Sequence, residues 1–207
     1  MSDPAFINER FAAEIGSRTE MTPAAAALLR EGLAPGAYLD LLASGGLHLD
    51  GIRFLARGMI KRAAVWWACR CVATADPEGS ATGPAESALK AARDWVTDPS
   101  DERRRGCWAA AQEAGIDTPA GCTALAAFLS EGSLAPPELT AVPPREDLTA
   151  RAATGAILLA AVIRQPEKAP EKHATFFAIG REVAEGKDTW PSPTRIPPPT
   201  RPTVKKR

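Results

Sequence analysis

Basic and apolar residues interleave in a helical pattern between residues 47 and 71. The basic residues Arg53, Arg57 and Lys61 stand four apart. The apolar residues around them recur three and four apart, which is the spacing that lines one face of a helix. These are Ile52, Leu55, Ala56, Met59, Ala63, Trp66 and Trp67. The pattern predicts one long central helix from Asp50 to Ala75, with an apolar face and a second, cationic face.

The other helices are recognised mainly by their first residues. Thr22-Pro23 and Thr118-Pro119 each place a capping hydroxyl before a proline at the first helical position. Residues 131–146 contain four prolines and predict a long ordered loop or an extended crossing. Residues 147–164 are apolar nearly all round, so this helix is expected inside the bundle. The predicted helices span 23–31, 34–42, 50–75 and 84–97, with one beginning at residue 101, one at residue 119, and two more over 147–164 and 170–185.

Composition agrees with an all-α fold. About a fifth of the 207 residues are Ala, the strongest helix former and a poor strand former. The β-branched residues are scattered rather than gathered in alternating runs. We therefore expect a single compact bundle of about seven to eight helices with a disordered C-terminal tail. The predicted boundaries are a partly helical segment over 1–20, a helical domain over 21–186 and a Pro-rich basic tail over 187–207.

The charge balance and hydropathy narrow the range of partners. The 25 basic residues equal the 25 acidic ones, whereas a dedicated nucleic-acid binder usually carries a positive excess. Zero net charge also leaves self-association into a homo-oligomer open. The longest apolar run, residues 152–163, has 12 residues, and a helix needs about 20 to cross a bilayer. With no secretory signal in residues 1–20, we expect a cytoplasmic protein without a membrane partner.

The sequence contains no recognisable catalytic, cofactor or metal motif. The two histidines, His48 and His173, stand in no catalytic spacing, and no glycine-rich phosphate loop is present. Four cysteines lie among apolar residues of predicted helices, which is typical of buried reduced thiols. They are Cys69, Cys71, Cys107 and Cys122. We expect no enzymatic activity, no cofactor and no metal site.

The aromatic residues allow two interpretations. Trp66, Trp67, Trp95 and Trp108 are compatible with a ligand cage, but an Ala-rich bundle needs bulky side chains to fill the space between its helices. We therefore expect them in the core. Adjacent helical residues point about 100° apart, so at least one of the paired indoles lies at the edge of the core. The sequence leaves open which one.

The basic row is the best polar candidate for a binding site. No acidic residue falls between Arg53 and Arg70, so the cations on this segment have no partner within it. Acids on neighbouring helices and the solvent could balance them, or the row could form a docking surface for a protein partner. The candidate partner-binding residues of the row are Arg53, Arg57, Lys61 and Arg62.

The C-terminal tail is the second basic candidate. Residues after Asp188 include no acid, and the prolines favour polyproline II over helix. The tail is either a solubilising end or a tether that folds onto a partner, in which case Arg195 and Arg201 contribute to binding. Trp190 is expected to pin the start of the tail to the body.

Five phrases stand in series along the chain, beginning with AVWWACRC at residues 64–71 and followed by those at residues 91–115, 118–139, 151–162 and 176–186. Together they resemble an uncharacterised family of bacterial helical proteins associated with type VI secretion gene neighbourhoods. The resemblance implies a non-enzymatic accessory role, as an adaptor or chaperone that binds an effector or a secretion spike component. An immunity or regulatory binding protein is the alternative. A DNA-binding regulator or an enzyme fits the residues less well.

Overall fold

The computed structural model describes residues 4–76, 79 and 82–192. Over these residues the chain is all-α, as predicted, and eight of its α-helices have at least seven residues. One 3₁₀ turn (Pro166–Lys168) precedes the last helix. The α-helices are α1 (Ala12–Gly16), α2 (Pro23–Ala26), α3 (Pro35–Ser44), α4 (His48–Gly58), α5 (Lys61–Ala75), α6 (Pro84–Thr97), α7 (Asp101–Ala114), α8 (Pro119–Phe128), α9 (Leu148–Val162) and α10 (Ala169–Ala184).

The predicted continuous helix over 50–75 is wrong, because the chain breaks between α4 and α5. Met59 is extended, with φ −68° and ψ 148°. The N–H of Ile60 donates to the carbonyl of Phe6 at 2.9 Å instead of to the preceding helical turn. Met59 also forms an isolated bridge with Ile7. The N-terminal segment thus supplies the backbone partner that a continuous helix would have supplied itself.

Two other predicted helices differ from the structure. The helix expected over 23–31 lasts one turn, although Thr22 caps it through its hydroxyl as predicted. The chain then turns so that Leu29 packs against Gly16 of α1. Helix α9 buries one face only, and Val162 and Ile163 at its C-terminal end are exposed. The long loop is confirmed, and it is closed by a bond from the N–H of Leu134 to the carbonyl of Val142 at 2.8 Å.

Helix α5 lies at the centre of the bundle and packs against α6, α8, α9 and α10. Trp67 is fully buried and donates its indole N–H to the carbonyl of Phe176 at 2.8 Å, whereas Trp66 is partly exposed at the edge. Trp95 is in the core as expected. Trp108 lies outside the core: it stacks on Phe128 and 38% of its surface is exposed. None of the helices described is long and apolar enough to cross a membrane.

Helix α10 joins the bundle through two glycine–aromatic contacts. A Cβ added to Gly180 of α10 would stand 2.6 Å from the Trp67 ring of α5. A Cβ added to Gly51 of α4 would stand 2.4 Å from the Phe177 ring of α10. The absence of a side chain at each glycine lets a large ring lie directly on the backbone of the facing helix.

The two ends of the described chain meet beside α5. The N–H of Phe6 donates to the carbonyl of Ala184 at 2.9 Å, and the Phe6 ring stacks on Trp190 with centroids 5.3 Å apart. The guanidinium of Arg62, which belongs to α5, lies 4.4 Å from the centroid of the Trp190 ring. Asp188 accepts a hydrogen bond from the Trp66 indole at 3.0 Å. The prediction that Trp190 pins the start of the tail is therefore confirmed.

Candidate functional site

The break between α4 and α5 divides the predicted basic row into two groups with different surroundings. Lys61 donates to the carbonyl of Ser130 at 2.7 Å. Arg62 donates to the carbonyls of Val96 at 2.6 Å and Thr97 at 3.0 Å, which belong to the last turn of α6. Cations at a helix C-terminus satisfy carbonyls that have no partner within the helix. Lys61 and Arg62 therefore hold neighbouring segments against α5 and share no single face with the α4 arginines.

Arg53 and Arg57 remain together and line a cleft of about 250 Å³. Helix α4 forms one wall, the start of α9 another, and the segment after α1 the third. We call it the arginine cleft. Its lining residues are Arg18, Thr19, Glu20, Arg53, Arg57, Asp147, Ala150, Arg151 and Thr154. Four of these nine residues are arginines and two are acids, so the lining carries a positive excess.

One of the two acids that line the cleft is already engaged by arginines. Asp147 accepts hydrogen bonds from Arg151 at 2.7 Å and from Arg145 at 3.0 Å. Desolvation raises the pKa of its carboxyl, but the bond from Arg151 and the charge of Arg145 outweigh this, so that the pKa lies below its usual value. Asp147 is therefore ionised at neutral pH and neutralises mainly these two arginines.

Arg57 is the least satisfied of the cleft arginines. Its side chain is only 13% exposed, and its nearest carboxylate oxygen, on Glu146, is 3.9 Å from its terminal nitrogen. The buried Nε atom has no hydrogen-bond acceptor within the described chain. Taking a guanidinium out of water is costly unless its N–H groups find acceptors. The site thus holds a buried donor that an incoming anion would satisfy.

Arg53 and Arg18 complete the charge distribution. Among the residues that the structure describes, none forms a hydrogen bond or ion pair with the side chain of Arg53. Arg18 binds Glu146 at 3.1 Å and also pairs with Glu9. The cleft therefore presents two α4 guanidinium groups with unused hydrogen-bonding capacity beside one that is engaged.

The sequence alone identified two of the four arginines that line this cleft. It selected Arg53 and Arg57, but missed Arg18, Arg151 and Glu146. Arg18 and Glu146 are 128 positions apart in the chain, and no local spacing connects them. The tail candidates Arg195 and Arg201 lie outside the described residues.

A second, larger cavity of about 640 Å³ lies between α6, the C-terminal ends of α5 and α9, and the N-terminal end of α8. Its walls are mainly apolar, including Val72, Leu89 and Ile163. It borders Gly79 and Thr82, in a loop whose other residues fall largely outside the described chain. Although it is larger, nothing in it indicates the chemistry of a ligand, so the arginine cleft is the stronger candidate.

The cysteines and histidines are poorly suited to act as nucleophiles or general bases. Burial raises the pKa of Cys69 to about 12 and that of Cys107 to about 12, so neither is a thiolate at neutral pH. Cys71 and Cys122 are also buried. Burial lowers the pKa of His173, and the charge of His48 lowers it further. No group of three or more His, Cys, Asp or Glu residues is arranged to hold a metal ion in the part of the chain described.

The chain belongs to the family of unknown function DUF6931, which matches residues 38–184. This match covers α4 to α10, including Arg53, Arg57 and Arg151, but not Arg18. It confirms that the chain is a member of an uncharacterised family, which is the coarser part of the resemblance. No curated protein and no solved structure shows significant similarity to the chain.

Proposed function

We propose that this protein is a non-enzymatic binding protein whose arginine cleft holds an acidic segment of a protein partner. The observation that carries the proposal is the state of Arg57, which is 13% exposed with a buried Nε that no described residue accepts from. A carboxylate supplies two acceptor oxygens in the plane that a guanidinium prefers. Arg53 on the same helix adds a second cation to the same ligand.

The basic residues of the row and of the tail have different roles in this proposal. Arg53 and Arg57 bind the partner. Lys61 and Arg62 are bound to the backbone of α6 and of the segment after α8, so they act through the stability of the fold. Arg195 and Arg201 remain proposed contacts of the tail, which would add a second point of attachment.

The biological context of the proposal comes from the resemblance described above. It indicates an adaptor or chaperone that binds an effector or spike component of a bacterial type VI secretion system in the cytoplasm. An immunity or regulatory protein would use the same cleft against a toxin. The identity of the partner distinguishes these two roles.

Affinity capture from the native host tests the proposal. Full-length wild-type protein is compared with Arg53→Glu, which places a like charge in the path of an acidic ligand. We expect capture of the partner to fall at least tenfold, since like charges that face each other at an interface are strongly unfavourable. Arg93→Glu is the matched control, because Arg93 is exposed on α6 and lines the other cavity.

Equal capture by wild type and Arg53→Glu would reject the cleft as the docking site. Loss in Arg93→Glu instead would assign the partner to the apolar cavity. A secretion spike component or effector among the proteins lost with Arg53→Glu would support the adaptor role, and a toxin would support the immunity role. A shortened protein ending at Gly186 shows what the tail contributes.

A further inference from the structure

Glu146 pairs with two of the arginines that line the arginine cleft. Its Oε1 atom lies 3.1 Å from a terminal nitrogen of Arg18, and its Oε2 atom lies 3.9 Å from a terminal nitrogen of Arg57. One carboxylate thus spans two arginines that come from different walls of the cleft, Arg18 from the segment after α1 and Arg57 from α4. This is the geometry that a bound acidic side chain from another protein would adopt.

The contact of Glu146 is weak for physical reasons. Its side chain is 68% exposed, and exposed ion pairs contribute little because water screens them and the long side chain loses freedom. The 3.9 Å separation from Arg57 is about 1 Å longer than a charge-assisted hydrogen bond. The Nε of Arg57 remains without an acceptor while Glu146 is in place. A carboxylate that entered more deeply would satisfy Arg57 better than Glu146 does.

The side chain of Glu146 can leave Arg18 and Arg57 without a movement of the backbone around it. Both neighbours of Glu146 in the chain make contacts of their own, since Arg145 binds Asp147 and Asp147 binds Arg151. The N–H of Leu148 also donates to the carbonyl of Arg145 at 3.2 Å. Rotation about the side-chain bonds of Glu146 is therefore enough to release Arg18 and Arg57, and such rotations are fast.

We infer that Glu146 is an internal stand-in for the ligand, and that the ligand group is the carboxylate of a Glu or Asp side chain of the protein partner. The partner's carboxylate displaces Glu146 and takes its place between Arg18 and Arg57, with Arg53 beside it. This inference rests on the proposed function and names the chemistry of its ligand. Glu146 sets the affinity by competing with the partner.

A carboxylate fits the cleft better than a phosphate. The position is already spanned by the two oxygens of a carboxylate. Asp147 is ionised beside it and Glu20 lines the same cleft. A phosphate group near two negative charges would meet stronger repulsion than a singly charged carboxylate.

A binding titration on the full-length protein tests the inference, with a hexaglutamate peptide as the probe at low ionic strength. Glu146→Gln removes the competing charge and keeps the shape of the side chain. We expect it to bind hexaglutamate about two- to fivefold more tightly than wild type, which is the range that corresponds to an exposed ion pair. Arg53→Gln should weaken binding of the same peptide.

The matched control is Glu131→Gln, which makes the same charge change at an exposed position of the same loop, away from the cleft lining. It should bind hexaglutamate like wild type. Circular dichroism of every variant checks that the helical content is unchanged. Hexaglutamine should bind none of them.

The outcomes separate this inference from the proposed function. Equal or weaker binding by Glu146→Gln would overturn the stand-in role. Binding of inorganic phosphate that is tighter than that of hexaglutamate would overturn the carboxylate assignment, as would the absence of hexaglutamate binding to every variant. In each of these cases the proposed function still stands if Arg53→Glu loses its captured partner, and it fails if capture is unchanged.

Discussion

Substituting Gly180 by Ala tests the packing of α10 against the centre of the bundle. Gly180 lies inside α10, where Ala is normally the better residue by about 1 kcal/mol. Here, however, the added Cβ would stand 2.6, 2.7 and 2.9 Å from three atoms of the Trp67 ring. The ring cannot move aside easily, because it is fully buried and its N–H is bonded to the carbonyl of Phe176 at 2.8 Å.

The size of the effect follows from the balance of these two contributions. Ordinary carbon contacts lie near 3.5–4.0 Å, so the helices must separate by about 1 Å to accept the new methyl group. Overpacking of this kind in a dense core costs about 1–3 kcal/mol, and the rigid indole favours the upper part of that range. After the gain of about 1 kcal/mol from helix propensity, we expect Gly180→Ala to lower the free energy of unfolding by about 1–2 kcal/mol.

Urea denaturation followed by circular dichroism measures this change, with Gly106→Ala as the matched control. Gly106 also lies within a helix, but its added Cβ would meet nothing within 4 Å. It should therefore raise the free energy of unfolding by about 0.5–1 kcal/mol, so the same substitution has opposite signs at the two sites. A Gly180→Ala protein as stable as wild type would refute the reasoning.

Two further predictions concern the core and the histidines. Trp67→Ala should lower the free energy of unfolding by about 3–5 kcal/mol because it empties a buried site, whereas Trp66→Ala at the edge should cost roughly 1–2 kcal/mol in the same urea titration. The lowered pKa of His173 means that the unfolded chain binds its proton at a higher pH than the folded protein. Stability should therefore fall as the pH drops below about 6.5, and His173→Gln should reduce this fall; an unchanged pH dependence would contradict the assignment.

The helical architecture could be largely predicted from the sequence. The Thr-Pro cap before α8 and the spacing of apolar residues in α6 and α10 are local signals, and the structure agrees with them. The failures have non-local causes. Nothing near Met59 indicates that the N–H of Ile60 will bind Phe6, so the periodicity alone runs straight through the break.

The candidate site could be predicted from the sequence only in part. Arg53 and Arg57 were selected because they are four apart on one helix. Whether each is free, paired or buried depends on residues that arrive from other parts of the chain, such as Glu146. The same pattern extended to Lys61, which the structure shows bound to the carbonyl of Ser130.

The sequence by itself determined the helical class, the buried cysteines and the cationic residues of α4, because helix propensity, capping and periodicity act over a few neighbouring residues. Only the tertiary structure decided which indole is buried, which arginines face a cleft and where glycines admit large rings. These features arise from contacts between segments far apart in the chain. Their energies depend on burial and on partner distance, and neither quantity exists until the helices pack.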